Sequence, residues 1–327
     1  MGTRNETGVT VLVTGANGFI GSHACKAFHS MGHQVRAVIR SCVEESIYEV
    51  IFADLTESLS VNDIIGVDVI LHFAARAEAV VEFPEENYKY FDINVTGTRN
   101  LLEVAKEAGV RRFIFFSSVK AMGESSEFLL DENDKCLPVT AYGRSKLEAE
   151  RLVLNGGYVP EPVVLRLPMV YGVTKKGSLP KLIRAISKKR FPPMPELGNK
   201  RSMVHVDDVV QAALLVMNRD EAIGQIFIVT DGLAYSTRQI YDLIKERLGM
   251  SESLLSIPLV FFVMLALIGD LIGKVLGKRF IFDSDTWSKL KSSAEYSNKK
   301  IVNKLGFSPK NNLSNALPDI VKHVCGN

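Results

Sequence analysis

Residues 14–21 read Thr-Gly-Ala-Asn-Gly-Phe-Ile-Gly, set between the apolar run Val9, Val11, Leu12, Val13 and a helical segment opening at Phe19. Three glycines at that spacing, on a strand-to-helix junction, leave few architectures open. Gly15 and Gly18 permit a tight turn and close backbone approach to a pyrophosphate, while Gly21 lets the helix lie against the sheet. The free N–H groups and positive dipole end of the helix, at Asn17, Phe19 and Ile20, favour an anion. A glycine triplet alone can be an ordinary turn; the flanking strand and helix give this one the setting in which a dinucleotide is cradled.

The alternation continues through the first half. Residues 35–39, 50–53, 67–72, 113–117 and 163–167 read as buried strands, and 19–31, 84–109 and 141–155 as helices, with Gly32 and Gly109 as stops. Right-handed crossovers wind such units into a doubly wound parallel α/β sheet. After Tyr171, Pro180, Pro192, Pro193 and Pro195 loosen the pattern, until helices return at 206–219, 236–248 and near 314–324. The expected organisation is a Rossmann domain over 8–172 and a smaller C-terminal α/β substrate lobe over 173–327, some segments of which return to the Rossmann core.

The composition, 46% hydrophobic and 23% charged, is that of a globular chain. A net charge of +2, with no basic tract, argues against nucleic acid and for small-molecule partners. Cys25, Cys42, Cys136 and Cys325 lie far apart without metal-ligand spacing, so reduced thiols, a cytoplasmic setting and no metal are expected. Residues 1–8 are polar and carry no signal-peptide core. The run 257–268 is almost wholly apolar, but it is about a dozen residues long against the about 20 of a membrane span, and Asp270 interrupts its continuation. Two readings stay open for 257–279: a buried helix of the lobe, which is preferred, and peripheral membrane contact through an apolar face rimmed by Lys274, Lys278 and Arg279.

Chemistry gathers at the strand ends. The second strand ends at Arg40, where a carboxylate would ordinarily accept hydrogen bonds from the adenosine ribose. A guanidinium offers forked donors to a 2′-phosphate, so the sequence favours NADP(H) over NAD(H). Arg36 and Arg40 are alternatively solvated charges. Asp54 can accept the adenine amine or cap a turn. His72, alone among small residues, reads as structural. Tyr142 and Lys146, four residues apart, share a helix face. A phenol titrating near about 10 is a poor base at neutral pH until a neighbouring ammonium favours its phenolate. Ser118, at the end of the fifth strand, places a hydroxyl beside the same substrate oxygen.

These residues together resemble the extended short-chain dehydrogenases/reductases, in their nucleotide-sugar epimerase/dehydratase/reductase branch. The resemblance rests on residues 14–21, Asp54-Leu55, His72-Phe73-Ala74-Ala75, Asn94-Val95-Thr96-Gly97-Thr98, Ser117-Ser118, Tyr142 with Lys146, and the segment 165–172 that contains Pro168 and Val170. It implies that Tyr142 exchanges a proton with a sugar hydroxyl, Lys146 also binds nicotinamide ribose, and Ser118 orients the substrate. It further implies cofactor contacts at Leu55, Phe73, Ala74, Ala75, Asn94, Pro168 and Val170, and a homodimer formed through the helices at 84–109 and 141–155. Arg201 inherits a contact to the nucleotide diphosphate, with a surface charge as the alternative, and Leu179 one to the nucleobase. The wording of 117–124 and 142–150, with the apolar segment after Pro258, is most similar to 4-ketoreductases of UDP-linked 2-acetamido-2,6-dideoxyhexoses, which supply surface polysaccharides. Met122 replaces a tyrosine frequent in the family, and no second phosphate-binding arginine is evident. Both departures weaken a UDP-hexose 4-epimerase reading, which stays the alternative. Val119 and Lys120 stand where 4,6-dehydratases carry an Asp-Glu pair, and a non-catalytic dinucleotide-binding regulator is the alternative of another class.

Overall fold

The computed structural model describes residues 8–40, 46–57, 59–77, 84–123, 128–251, 258–276 and 282–326. Cys42, Ile257, Lys278 and Arg279 lie outside them. The first half runs β1 (Thr10–Thr14), α1 (Phe19–Ser30), β2 (Gln34–Ile39), β3 (Glu49–Phe52), the one-turn α2 (Val61–Ile64), β4 (Val69–His72), α3 (Tyr88–Phe91), α4 (Gly97–Glu107), β5 (Arg112–Ser118), α5 (Ala141–Asn155) and β6 (Glu161–Leu167). It continues with β7 (Met169–Tyr171), α6 (Ser178–Ser187), β8 (Arg201–His205), α7 (Val206–Met217), β9 (Ile226–Ile228), β10 (Ala234–Tyr235) and α8 (Thr237–Arg247). The chain closes with α9 (Leu259–Leu276), α10 (Ser284–Lys291), α11 (Lys299–Leu305) and α12 (Leu313–Cys325).

Seven parallel strands form the main sheet in the order β3-β2-β1-β4-β5-β6-β9. Its central strands are buried on both faces, which is why they read as unbroken apolar runs instead of alternating ones. Phe28 of α1 and Val209 and Ala213 of α7 pack on one face, and Leu101 of α4 and Ala149 and Val153 of α5 on the other. Strand order reverses between β1 and β4, so a crevice opens at their carboxyl ends. The smaller sheet, β10-β8-β7, carries α6, α8 and α12 around a separate apolar cluster. The chain leaves the main sheet at Met169, and α7, β9 and α11 return to it.

Two expectations change. The helix expected over 84–109 is broken into a 3₁₀ turn (Pro84–Glu86), α3, a π turn (Asp92–Thr96) and α4. The extra residue of the π turn brings Asn94 into the interior, where polar partners wait for it. The apolar segment after Pro258 forms α9, but it is not the buried helix preferred from sequence. Phe262 and Ala266 face inward, Phe262 stacking on Trp287 at 5.3 Å, whereas the rest of its large apolar side chains are mostly exposed. No helix among the described residues is long and apolar enough to cross a membrane.

The turn after β1 is held by contacts that only glycine allows. Gly15 has φ +67°, and a Cβ on it would lie 2.9 Å from the Ala74 nitrogen on β4's extension. A Cβ on Gly21 would lie 2.2 Å from the Gly15 carbonyl oxygen, so α1 meets its own turn backbone to backbone. Gly21→Ala is expected to destabilise the fold by about 1–3 kcal/mol, the range of overpacking. Urea unfolding measures it, and an unchanged midpoint would show that the turn yields without cost.

Candidate active site

The crevice at the switch point is a cavity of about 310 Å³. Gly15, Asn17 and Gly18 line one side, Arg40, Asp54 and Leu55 another, and Phe73, Ala74 and Ala75 the third. The Gly18 N–H donates to the Gly15 carbonyl at 2.9 Å, closing the turn, and α1's first turn carries no acidic side chain to repel an anion. The missing Cβ of Gly15 lets the Ala74 backbone close against the turn, and the residues lining the crevice, with an unopposed helix N-terminus, fit the phosphates of a dinucleotide. Arg40 is exposed at the rim, close enough to Asp54 for its charge to hold that carboxyl below its usual range, after the hydrogen bonds from Thr56.

Behind the cradle runs a buried polar chain centred on His72. Thr98 Oγ1 donates to the Asn94 carbonyl at 2.7 Å, so it accepts from His72 Nε2 at 2.9 Å. The ring proton is thereby assigned to Nε2, and Nδ1 accepts from Thr14 Oγ1 at 2.7 Å, whose oxygen accepts the Ala74 N–H at 3.2 Å. Every group has a partner, and the ring is neutral. Burial, with the Lys146 charge adding to it, pushes the His72 pKa down to about 3. His72 is a tie between β1, β4 and α4, not an acid or base.

The side chains expected from sequence to react, Tyr142, Lys146 and Ser118, lie on α5 and at the end of β5. Thr140 caps α5 by accepting the Gly143 N–H at 3.1 Å. Tyr142, half-buried, meets the Tyr90 ring edge-on at 5.9 Å. Lys146 is buried; its Nζ donates to the Phe116 carbonyl at 2.7 Å and lies 4.1 Å from the Phe115 ring centre. Burial pushes the ammonium down to about 7, and the Glu150 carboxylate pulls the other way. Ser118 ends β5, its Oγ accepting the Lys120 N–H at 3.2 Å at the start of a turn that packs on α5. Asn94 is a clamp on this helix: its Nδ2 donates to Ser145 Oγ at 2.9 Å, and that hydroxyl donates to the Tyr142 carbonyl at 2.8 Å.

Behind Lys146 lies a network that sequence reasoning missed. Glu150, one further turn along the same face, accepts from Ser117 Oγ at 2.5 Å and from Arg166 Nη2 at 2.7 Å. Both members of the ion pair are buried. The available signal was an arginine inside the apolar run of β6 and a carboxylate at the next four-residue step after Tyr142 and Lys146.

Residues 11–229 match the family described as NAD dependent epimerase/dehydratase. The chain belongs to that family. It is 30% identical over 287 residues to a UDP-glucose 4-epimerase of Vibrio cholerae, covering 84% of both chains. It is also 30% identical over 261 residues to a 4-hydroxy-2-methyl-3-oxo-4-farnesyl-3,4-dihydroquinoline-1-oxide ketoreductase of Stigmatella aurantiaca, covering 76% of this chain and 75% of that one. Among solved structures it resembles MoeE5 in complex with UDP-glucose and NAD, with TM-score 0.77 and 25% identity over 97% of this chain and 99% of the other.

In this epimerase/dehydratase family member several expected contacts lie away from the cradle. Leu179 is a core side chain, packed on the inner face of α6 with Ile183 and Ile186, and does not line the crevice. Arg201 donates to the Lys289 carbonyl and, at 3.4 Å, to Ser292 Oγ, closing the end of α10; a diphosphate contact requires it to leave them. Arg36 is bound to Glu49 at 2.9 Å and to the Ile65 carbonyl at 2.8 Å, so of the two arginines of this strand end Arg40 is the one that lines the crevice. Asp54 caps its own turn through Thr56. Phe19, Ile20, Pro168 and Val170 are half-buried where α1 meets the β6–β7 junction, and Gly21 lies beneath Gly15. Among the described residues no group of three His, Cys, Asp or Glu is placed to hold a metal.

The depressed His72 pKa has a pH signature. The unfolded chain takes up a proton near its ordinary 6.5 that the folded chain refuses down to about 3, so stability falls as pH drops through that window. Denaturant midpoints between those limits are expected to slope less steeply in His72→Gln than in the wild type. An equal slope in the two proteins would remove His72 as its source.

Proposed function

We propose that this protein is a reductase of a 4-keto sugar carried on UDP, with NADP(H) favoured over NAD(H), in the synthesis of surface polysaccharide precursors. The observation that carries the reading is Tyr142 and Lys146 on one face of α5, clamped by Asn94 and packed beside the strand end that carries Ser118. When bound, the nicotinamide supplies the hydride that reduces C4. Tyr142 donates its phenolic proton to the alkoxide forming at that carbon's oxygen, and Ser118 holds the same oxygen by a hydrogen bond. Lys146, charged, favours the phenolate that remains, and its bond to the Phe116 carbonyl fixes where that charge lies.

Arg40 at the rim supports a 2′-phosphate. Met122, where the resembled family often carries a tyrosine, supports reduction over epimerisation. UDP-glucose 4-epimerisation is the second reading, favoured by the 30% identity to the Vibrio cholerae enzyme. The two differ in net redox change. A panel of UDP-linked 4-keto sugars with NADPH is expected to give stoichiometric loss of nicotinamide absorbance and a reduced sugar; interconversion of two hexoses with no NADPH consumed would establish the epimerase. A cytoplasmic homodimer through α3–α4 and α5 belongs to the same reading, with Tyr88 and Phe91 exposed on that surface.

Tyr142→Phe is expected to lower kcat by about a thousandfold, within the range of general acid–base catalysis, while cofactor affinity changes little. Retained turnover would refute the proton-transfer role, and wild-type protein that binds cofactor without turning over any sugar would favour a regulator. Arg40→Ala is expected to raise the KM for NADPH about tenfold and leave that for NADH unchanged. Equal effects on both would assign Arg40 no part in selecting the cofactor.

A further inference from the structure

Helix α9 is attached to the molecule by one narrow stripe. Phe262 stacks on Trp287, Ala266 is buried, and Asp270 turns inward to accept from Ser284 N at 3.1 Å and Ser284 Oγ at 2.5 Å. Asp270 is the single carboxylate of the helix, and this bond takes it off the outer face. Val260, Val263, Met264, Leu267, Ile268 and Leu271 follow one another at helical steps around the opposite arc. All are exposed, Leu267 by 59% and Leu271 by 63%.

A soluble surface rarely leaves so continuous an apolar face bare. A protein partner, a second copy included, would ordinarily meet hydrogen-bonding groups interspersed with the apolar ones, and this arc offers none between Val260 and Leu271. Its charge is of one sign. Lys274 is exposed at the C-terminal end, and Lys278 and Arg279 follow in the sequence. Apolar side chains on one face, with the described cation Lys274 at its end, match an anionic bilayer surface: the arc enters the acyl boundary and Lys274 meets the headgroups. No helix among the described residues is long and apolar enough to span, and α9 is tied to the protein through Trp287 and Ser284.

We propose that α9 lies in the plane of an anionic membrane surface and seats the protein there as a peripheral protein. The seat is independent of the catalytic reading, and testing it requires no substrate.

Trp287 is the chain's one tryptophan and stacks directly behind α9, so it reports the contact in the unmodified protein. Wild type is expected to co-sediment with vesicles containing phosphatidylglycerol, and its Trp287 emission to be quenched when those lipids carry brominated acyl chains. Binding to phosphatidylcholine alone is expected to be about tenfold weaker, from loss of the headgroup charges. Met264→Glu with Leu271→Glu, both on the exposed arc, is expected to abolish sedimentation with thermal unfolding and cofactor binding unchanged. Lys274→Glu is expected to weaken binding at low salt. Wild type that stays in the supernatant unquenched, or a double variant that binds as tightly as wild type, overturns the proposal. So does a wild-type oligomer that ignores vesicles and falls to monomers in the double variant, since a second copy would then cover the face.

Discussion

At the carboxyl ends of β1 and β4, backbone atoms lie where a Cβ would otherwise be. Gly15 meets Ala74, and Gly21 meets the carbonyl of Gly15, so the turn, the helix behind it and the neighbouring strand form one rigid corner. The crevice is the space this leaves. Because the corner is built from main chain, its N–H groups are fixed before any ligand arrives, and an anion bound there need not order them. The position of α1 on the sheet follows from the same contact, and with it the face on which α7 returns.

Behind the corner, polar side chains are buried in quantity and joined in a chain of specific hydrogen bonds. The chain from Ala74 through Thr14, His72 and Thr98 to the Asn94 carbonyl joins two strand ends to the π turn. Asn94 continues it to Ser145 on α5. The glycine corner and the helix that carries Tyr142 are thereby linked through hydrogen bonds instead of apolar packing alone. Apolar packing tolerates small slips; a bonded chain in a low-dielectric interior does not, since any break leaves an unpaired polar group. Lys146 illustrates the cost: burial depresses its pKa, and Phe116, Phe115 and Glu150 are arranged so that a charge can still exist there.

Much of this was legible in the chain. The β1 turn, six strands of the main sheet and the Tyr142–Lys146 pair follow from local rules: glycine where φ is positive, unbroken apolar runs for strands covered on both faces, and i, i+4 spacing on a helix. The π turn was not legible, because 84–109 has helical periodicity throughout and only the partners of Asn94 decide where an extra residue is accommodated. Nor was the use of Arg201 and Leu179, since a motif gives a residue's place in the chain and not the group it faces. Leu179 points into the lobe's core, and Arg201 toward the end of α10. The Glu150–Arg166 pair escaped because its members lie on different elements, and nothing local requires that they meet.

The sequence by itself determined the class of sheet, the strand at which it opens and the shared helix face of Tyr142 and Lys146, because each depends on interactions within a few positions of one another. The tertiary structure alone decided which charged side chains are free and which are committed: Arg40 stands open while Arg36, Arg201 and Arg166 are bound. It also decided that α9, apolar enough to be core, is left with one face covered and the other bare. Those outcomes depend on what arrives from distant parts of the chain to meet each surface, and hydrophobicity, which has no direction, cannot specify that partner.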